Sequence, residues 1–150
     1  MIVQTADWPD KLFATLKRAN IRQVGYVPDA GHSRLIERCC ADAEIRDVVL
    51  TTEEEGVAMA AGAWLGGERA ALLMLIAMRG EWEEFNPWQV PMGSIVEPVL
   101  GLCEADAYRA RTPGDVENAT ERAVQRAFGD ERIAAVILSQ ELVGKKVWSK

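Results

Sequence analysis

Several things are scarce in this 150-residue chain, and each scarcity removes a class of function. His32 is its one histidine, so zinc sites built on several histidines are excluded, as is a His-dependent triad at any other position. Cys39, Cys40 and Cys103 form an adjacent pair and one distant thiol. That spacing gives neither a CxxC metal site nor a disulfide framework, and the three read as buried small apolar residues. Seventeen Lys and Arg stand against 23 Asp and Glu, a net charge of -6. Nucleic acid and anionic membranes need a basic face and are not expected as partners. The longest apolar run, residues 70–78, is far below the roughly 20 residues of a membrane span. No N-terminal stretch joins a basic start to an apolar run, so the expected location is the cytoplasm. No GxGxxG follows a strand and no GxxxxGK[ST] occurs, which leaves dinucleotide and P-loop sites unsupported.

What is present is the profile of a globular protein, 49% hydrophobic and 27% charged, with the length of a single domain spanning 1–150. Asp7 and Pro9 open a helix in which Leu12, Phe13, Leu16 and Ala19 recur at helical spacing to about residue 20. Residues 23–27 read as a strand ended by Pro28-Asp29-Ala30-Gly31, and Leu35, Ile36, Cys39 and Cys40 mark a second helix. The pattern repeats as a strand over 47–51, a helix over 53–65 stopped by Gly66-Gly67, and an apolar strand over 70–78. Residues 79–93 read as an irregular loop carrying Trp82, Phe85 and Trp88, either a plug beneath the loop or a subunit contact. A helix over 94–103, a strand over 106–109, a helix over 113–128 and a buried strand over 133–138 follow. Strands alternating with helices predict a three-layer α/β fold: a mostly parallel sheet with helices on both faces and ligands at the carboxyl ends of the strands.

Thr51-Thr52-Glu53-Glu54-Glu55-Gly56 falls where a strand ends and a helix begins. Thr52 as N-cap with Glu55 makes a capping box, and acidic residues suit a helix N-terminus in any case. Gly56, Ala58, Ala60, Ala61, Gly62 and Ala63 then leave the helix smooth, which admits close approach by a sheet or by another subunit.

Glu54-Glu55-Gly56, with Ala60-Ala61-Gly62-Ala63-Trp64-Leu65 before Gly66-Gly67, resembles the pyrimidine-binding domain of thiamine diphosphate enzymes. So do Val27-Pro28-Asp29, Met78-Arg79-Gly80-Glu81-Trp82 and Phe85-Asn86-Pro87-Trp88-Gln89-Val90-Pro91-Met92-Gly93. The chain is most similar to the separate alpha subunits of sulfopyruvate and phosphonopyruvate decarboxylases. The resemblance implies a flavodoxin-like thiamine diphosphate-binding fold and a role in decarboxylating a small anionic 2-oxo acid. It makes Glu54 the catalytic residue, holding the aminopyrimidine so that its exocyclic nitrogen removes the thiazolium proton. For that task Glu54 is expected in a dry interface pocket where burial favours its protonated form. Pro28 and Gly56 are implied as further cofactor-binding positions. Asp29, His32 and Arg79 are implied on the substrate side, although Asp29 suits a turn, a lone histidine suits a loop, and Arg79 suits a strand end.

Two features depart from the family pattern. The Gly-Asp-Gly motif with a downstream Asn, which holds the diphosphate and Mg2+, is missing: Gly129-Asp130 is followed by Glu131 and no Asn comes after. A separate beta subunit is therefore expected to supply that half in a hetero-oligomer, and no metal ligand is expected in this chain. The second departure lies after Met74, which runs straight into Leu75-Ile76-Ala77 where the family has a loop, a helix and another strand. A parallel crossover takes a dozen or more residues, so one strand-helix unit is expected to be lost, with a gap in the sheet. That loss keeps a second reading open, a non-catalytic structural or regulatory partner derived from the same family.

Overall fold

A computed structural model describes residues 7–145 of the chain. Its elements are α1 (Trp8–Arg18), β1 (Gln23–Tyr26), α2 (Ser33–Cys40), β2 (Arg46–Val49), α3 (Glu54–Leu65), β3 (Leu73–Ala77), α4 (Gln89–Leu102), β4 (Asp106–Ala110), α5 (Asp115–Val124), β5 (Ala134–Leu138) and α6 (Gln140–Val143). A 3-10 turn, Ala30–His32, leads into α2, and a π turn, Gln125–Gly129, continues α5. Every strand pairing is parallel. The strands form two sheets, β1-β2 and β3-β5-β4.

Alternation along the strands divides the helices into two layers. Leu73, Leu75, Val136 and Leu138 face a core built with α1, α2 and α5 around Trp8, Leu12, Leu35 and Val116. Met74, Ile76, Ala135 and Ile137 face Leu100 and Val96 of α4. On β1, Val24 belongs to the first core, whereas a side chain at Gly25 would meet Met59 of α3. Helices α3 and α4 therefore cover one face and α1, α2 and α5 the other, the expected three layers. Strand β5 is buried along its whole length, as its Ala-Ala-Val-Ile-Leu run demands of a strand covered on both faces. It lies between β3 and β4 rather than at the end of the sheet.

The expected shortfall of one strand-helix unit shows as a break. Strand β1 pairs with β2 alone and β3 with β5 alone. Between the two open edges lies a cavity of about 790 Å³, lined by the whole of β1 and the whole of β3.

Several local expectations are corrected. The stretch expected to be loop through 93 becomes helix at Gln89; Pro91 fits there because first-turn N–H groups have no helical partner. The apolar run 70–78 is strand only over Leu73–Ala77, where β5 offers partners. The α5 region is regular only over Asp115–Val124 before the π turn. Of the cysteines only Cys39 is buried; Cys40 and Cys103 are exposed, since Cys40 follows Cys39 by one residue and turns off the buried stripe of α2, and Cys103 lies just past the end of α4. No helix among the described residues is long and apolar enough to cross a membrane.

Candidate functional site

The carboxyl ends of β1, β2 and β3 set out the residues singled out in the sequence. Beyond β2 the chain makes a turn through Thr51 and Thr52, and α3 begins at Glu54 with Glu53 as an N-cap that makes no side-chain cap bond. The capping box does not form as expected. Helix α3 starts two residues after Thr52, and the Glu55 carboxylate instead accepts from the Thr51 N–H at 2.6 Å. Glu54 is exposed. The Thr52 hydroxyl and then a backbone hydrogen bond at Glu54 itself hold its carboxyl below the ordinary carboxylate value. The dry pocket expected around Glu54 is not built from this chain's own residues, because α3 buries none of its residues here.

After β1, Asp29 caps the 3-10 turn through Oδ2, which accepts from the Gly31 N–H at 3.1 Å. The same oxygen lies 3.5 Å from His32 Nδ1. His32 Nε2 is buried and has no hydrogen-bond partner. After β3, Arg79 donates through Nε and Nη2 to both oxygens of Glu84, at 2.7 and 2.6 Å. That carboxylate, with a smaller contribution from Asp29, raises Arg79 above its already high value. Asp29, His32, Gly56 and Arg79 all border the cavity between the sheets, whereas Glu54 and Pro28 stand off its wall.

Glu84 was not singled out by the sequence. Its side chain is 3% exposed, and besides Arg79 it accepts from Gly80 N, Asn86 N and Gln140 Nε2. Gln140 in turn accepts from Glu81 N and Trp82 N. Arg109 ties Glu81 to Ser139 and to Glu97 of α4. This network fastens the 79–88 loop to the ends of β4 and β5. The available signal was Glu81, Glu83 and Glu84 close behind Arg79, three carboxylates on a stretch otherwise rich in aromatics.

The outer faces of α3 and α4 are apolar and uncovered. Trp64 is 66% exposed, Leu65 77%, Trp88 81% and Leu102 85%, with Val90, Met92, Ile95 and Val99 also exposed. Large contiguous apolar surfaces rarely face water on a finished protein and mark association sites. The aromatics of the loop are thus not a plug: Trp82 and Phe85 are partly open and Trp88 projects outward.

No family model matches the chain. It is similar to sulfopyruvate decarboxylase subunit alpha of Methanocaldococcus jannaschii, 30% identical over 127 aligned residues, which covers 68% of this chain and 75% of the relative. It is likewise similar to the proteins of the same name from Methanothermobacter thermautotrophicus, 26% identical with 88% of this chain and 95% of the relative covered, and from Methanococcus maripaludis, 23% identical with 86% and 92% covered. Each alignment is about 25 positions longer than the part of this chain it covers, more than the dozen residues a parallel crossover needs. With this kinship over most of its length, and the family's motifs set along the carboxyl ends of its strands, the chain belongs to the family of sulfopyruvate decarboxylase alpha subunits.

Proposed function

We propose that this chain is the alpha subunit of a thiamine diphosphate-dependent decarboxylase acting on a small anionic 2-oxo acid of the sulfopyruvate or phosphonopyruvate type. A beta subunit completes the site. The observation that carries this reading is that α3, the helix bearing Glu54, buries none of its residues in this chain. A carboxylate that must work in a dry pocket can obtain one only from a second chain seated on that helix and on the apolar face of α4. The relatives are named as alpha subunits, in keeping with such an assembly.

The residues present fit one half of the cofactor. Glu54 is an accessible carboxylate at the end of a parallel strand, and the unpartnered, buried His32 Nε2 leaves a polar group for a bound molecule to satisfy. When bound, thiamine diphosphate supplies a carbon nucleophile and an electron sink for the departure of carbon dioxide. Glu54 holds a proton against the aminopyrimidine, and burial by the beta subunit raises its carboxyl from the low value set by Thr52. Pro28 stiffens the loop after β1, and Gly56 leaves the wall open beside Leu50. Arg79, held rigid by Glu84, is the guanidinium on the cavity wall that meets an anionic substrate, and Asp29 and His32 border the same cavity. The diphosphate and its Mg2+ belong to the beta subunit, since Glu131 stands where the binding motif needs glycine.

Glu54→Gln in the assembled complex tests this. Loss of one positioned acid-base group costs about 10²–10⁴-fold in turnover, with assembly unaffected. Full turnover by the variant would refute the role of Glu54, and assembly of the unaltered chain without carbon dioxide release would refute the decarboxylase reading.

A further inference from the structure

The break between the two sheets has the hydrogen-bonding pattern of a missing strand. In the β1-β2 pair, Arg46 N donates to Arg22 O and Leu50 N to Tyr26 O. Backbone groups of successive residues in a strand point to opposite sides, so even-numbered residues of β1 face β2, and Gln23 and Gly25 face the cavity. In the β3-β5 pair, Ala134 N donates to Leu72 O and Met78 N to Leu138 O. Leu73, Leu75 and Ala77 thus turn their N–H and C=O groups toward the same cavity. Two parallel strand edges face each other with their donors and acceptors directed into one space. The cavity between them is lined by every residue of both strands.

We propose that this break is a strand-acceptor slot, and that an extended, uncharged segment of about five residues presented by the beta subunit inserts between β1 and β3 to make one continuous sheet. The proposal rests on the reading that a beta subunit exists, and three observations choose the occupant. Backbone edges on both sides are matched by another backbone, which a small molecule or a helix does not offer. Gln23, Gly25, Leu73, Leu75 and Ala77 are uncharged, and the charged residues of the lining, Asp29, Glu53, Arg79 and Lys145, lie beyond the strands, so the part of the insert that runs between β1 and β3 meets no charge to pair with. Finally, the slot is closed on one face by buried Leu16, Leu35 and Cys39, while on the other it is bordered by Val57 of α3, which is exposed. It therefore opens onto α3, part of the surface assigned to the partner.

The test is hydrogen exchange, resolved by residue, on the complex isolated from native cells through a tag on this chain and on the isolated chain. The amides of Gly25, Leu75 and Ala77 should exchange at least 100-fold more slowly in the complex, while Val24 and Met74, already paired, change little. If these slot amides exchange equally fast in both while α3 gains protection, the slot proposal falls and the partner reading stands. Slow exchange in the isolated monomer, or in an isolated homodimer, also overturns the proposal, because this chain or a second copy then fills the slot. Recovery of the chain without any partner overturns both readings. Ala77→Pro gives an independent check, since it removes a slot-facing N–H that makes no bond within the sheet. The isolated variant should keep its melting temperature within a few degrees and bind the partner at least tenfold more weakly; unchanged binding by a folded variant would overturn the proposal.

Discussion

Glu84→Gln offers a stringent test of how the candidate site is held. Both oxygens of Glu84 are engaged: Oε1 accepts from Arg79 Nη2 and Asn86 N, and Oε2 accepts from Arg79 Nε, Gly80 N and Gln140 Nε2. An amide of the same shape replaces one acceptor by a donor and removes the charge opposite Arg79, whose side chain is 25% exposed. Breaking a buried ion pair from one side costs about 3–5 kcal/mol, because the remaining charge is left buried and unpaired. At about 2–4 °C per kcal/mol for a chain of this size, the melting temperature should fall by roughly 6–20 °C. Urea unfolding followed by far-UV circular dichroism reads the change directly, with an unchanged slope if the native state stays compact. Adding Arg79→Met removes the orphaned charge, so the double variant should be more stable than the sum of its parts. The pH dependence has a definite sign. Arg79 above all, then the backbone N–H groups of Asn86 and Gly80 and the Gln140 amide, hold the Glu84 carboxyl well below the usual carboxylate range. Its stabilisation is therefore complete above the unfolded value of about 4.3 and is lost as pH falls through the depressed folded value. The stability difference between wild type and variant should narrow progressively as pH falls below about 4.3. A loss under about 1 kcal/mol at pH 7, or strict additivity of the double variant, would refute the assignment of this pair as the clamp of the loop.

Three further outcomes are expected of the protein. Gly80 has φ +76°, and a side chain there would run into the backbone carbonyl of Gln89, so Gly80→Ala should destabilise by roughly 1–3 kcal/mol in urea unfolding. Burial, foremost, raises the Cys39 thiol to about 11; native labelling with a thiol reagent should modify Cys40 and Cys103 but spare Cys39, and stability should decline as pH rises from about 9 to about 11. Leu102→Glu and Trp88→Glu alter side chains that stand in water, so each should leave the isolated chain within about 0.5 kcal/mol of wild type while abolishing capture of the beta subunit in a pull-down.

Much of the fold was legible along the chain. The alternation of strands and helices, the buried Ala134–Leu138 strand and the start of a helix at the Glu53-Glu54-Glu55 run depend on the spacing of apolar residues within a few turns, and that spacing is local. The lost strand-helix unit was also legible, as Met74 running straight into Leu75. Sequence placed Glu54, Asp29, His32 and Arg79 at the carboxyl ends of strands, where the structure has them. Tertiary structure alone decided that β5 lies between β3 and β4, since strand order depends on pairings between distant residues that no local period records. It alone decided that Arg79 is gripped by Glu84, itself held by Gln140, a partnership that needs the ends of two strands brought together, and that α4 begins at Gln89 despite Pro91 and Pro98. It also left α3 with no buried residue. The sequence shows that helix as smooth and apolar, but whether such a helix meets its own sheet or another chain depends on which surfaces remain uncovered once the rest has folded.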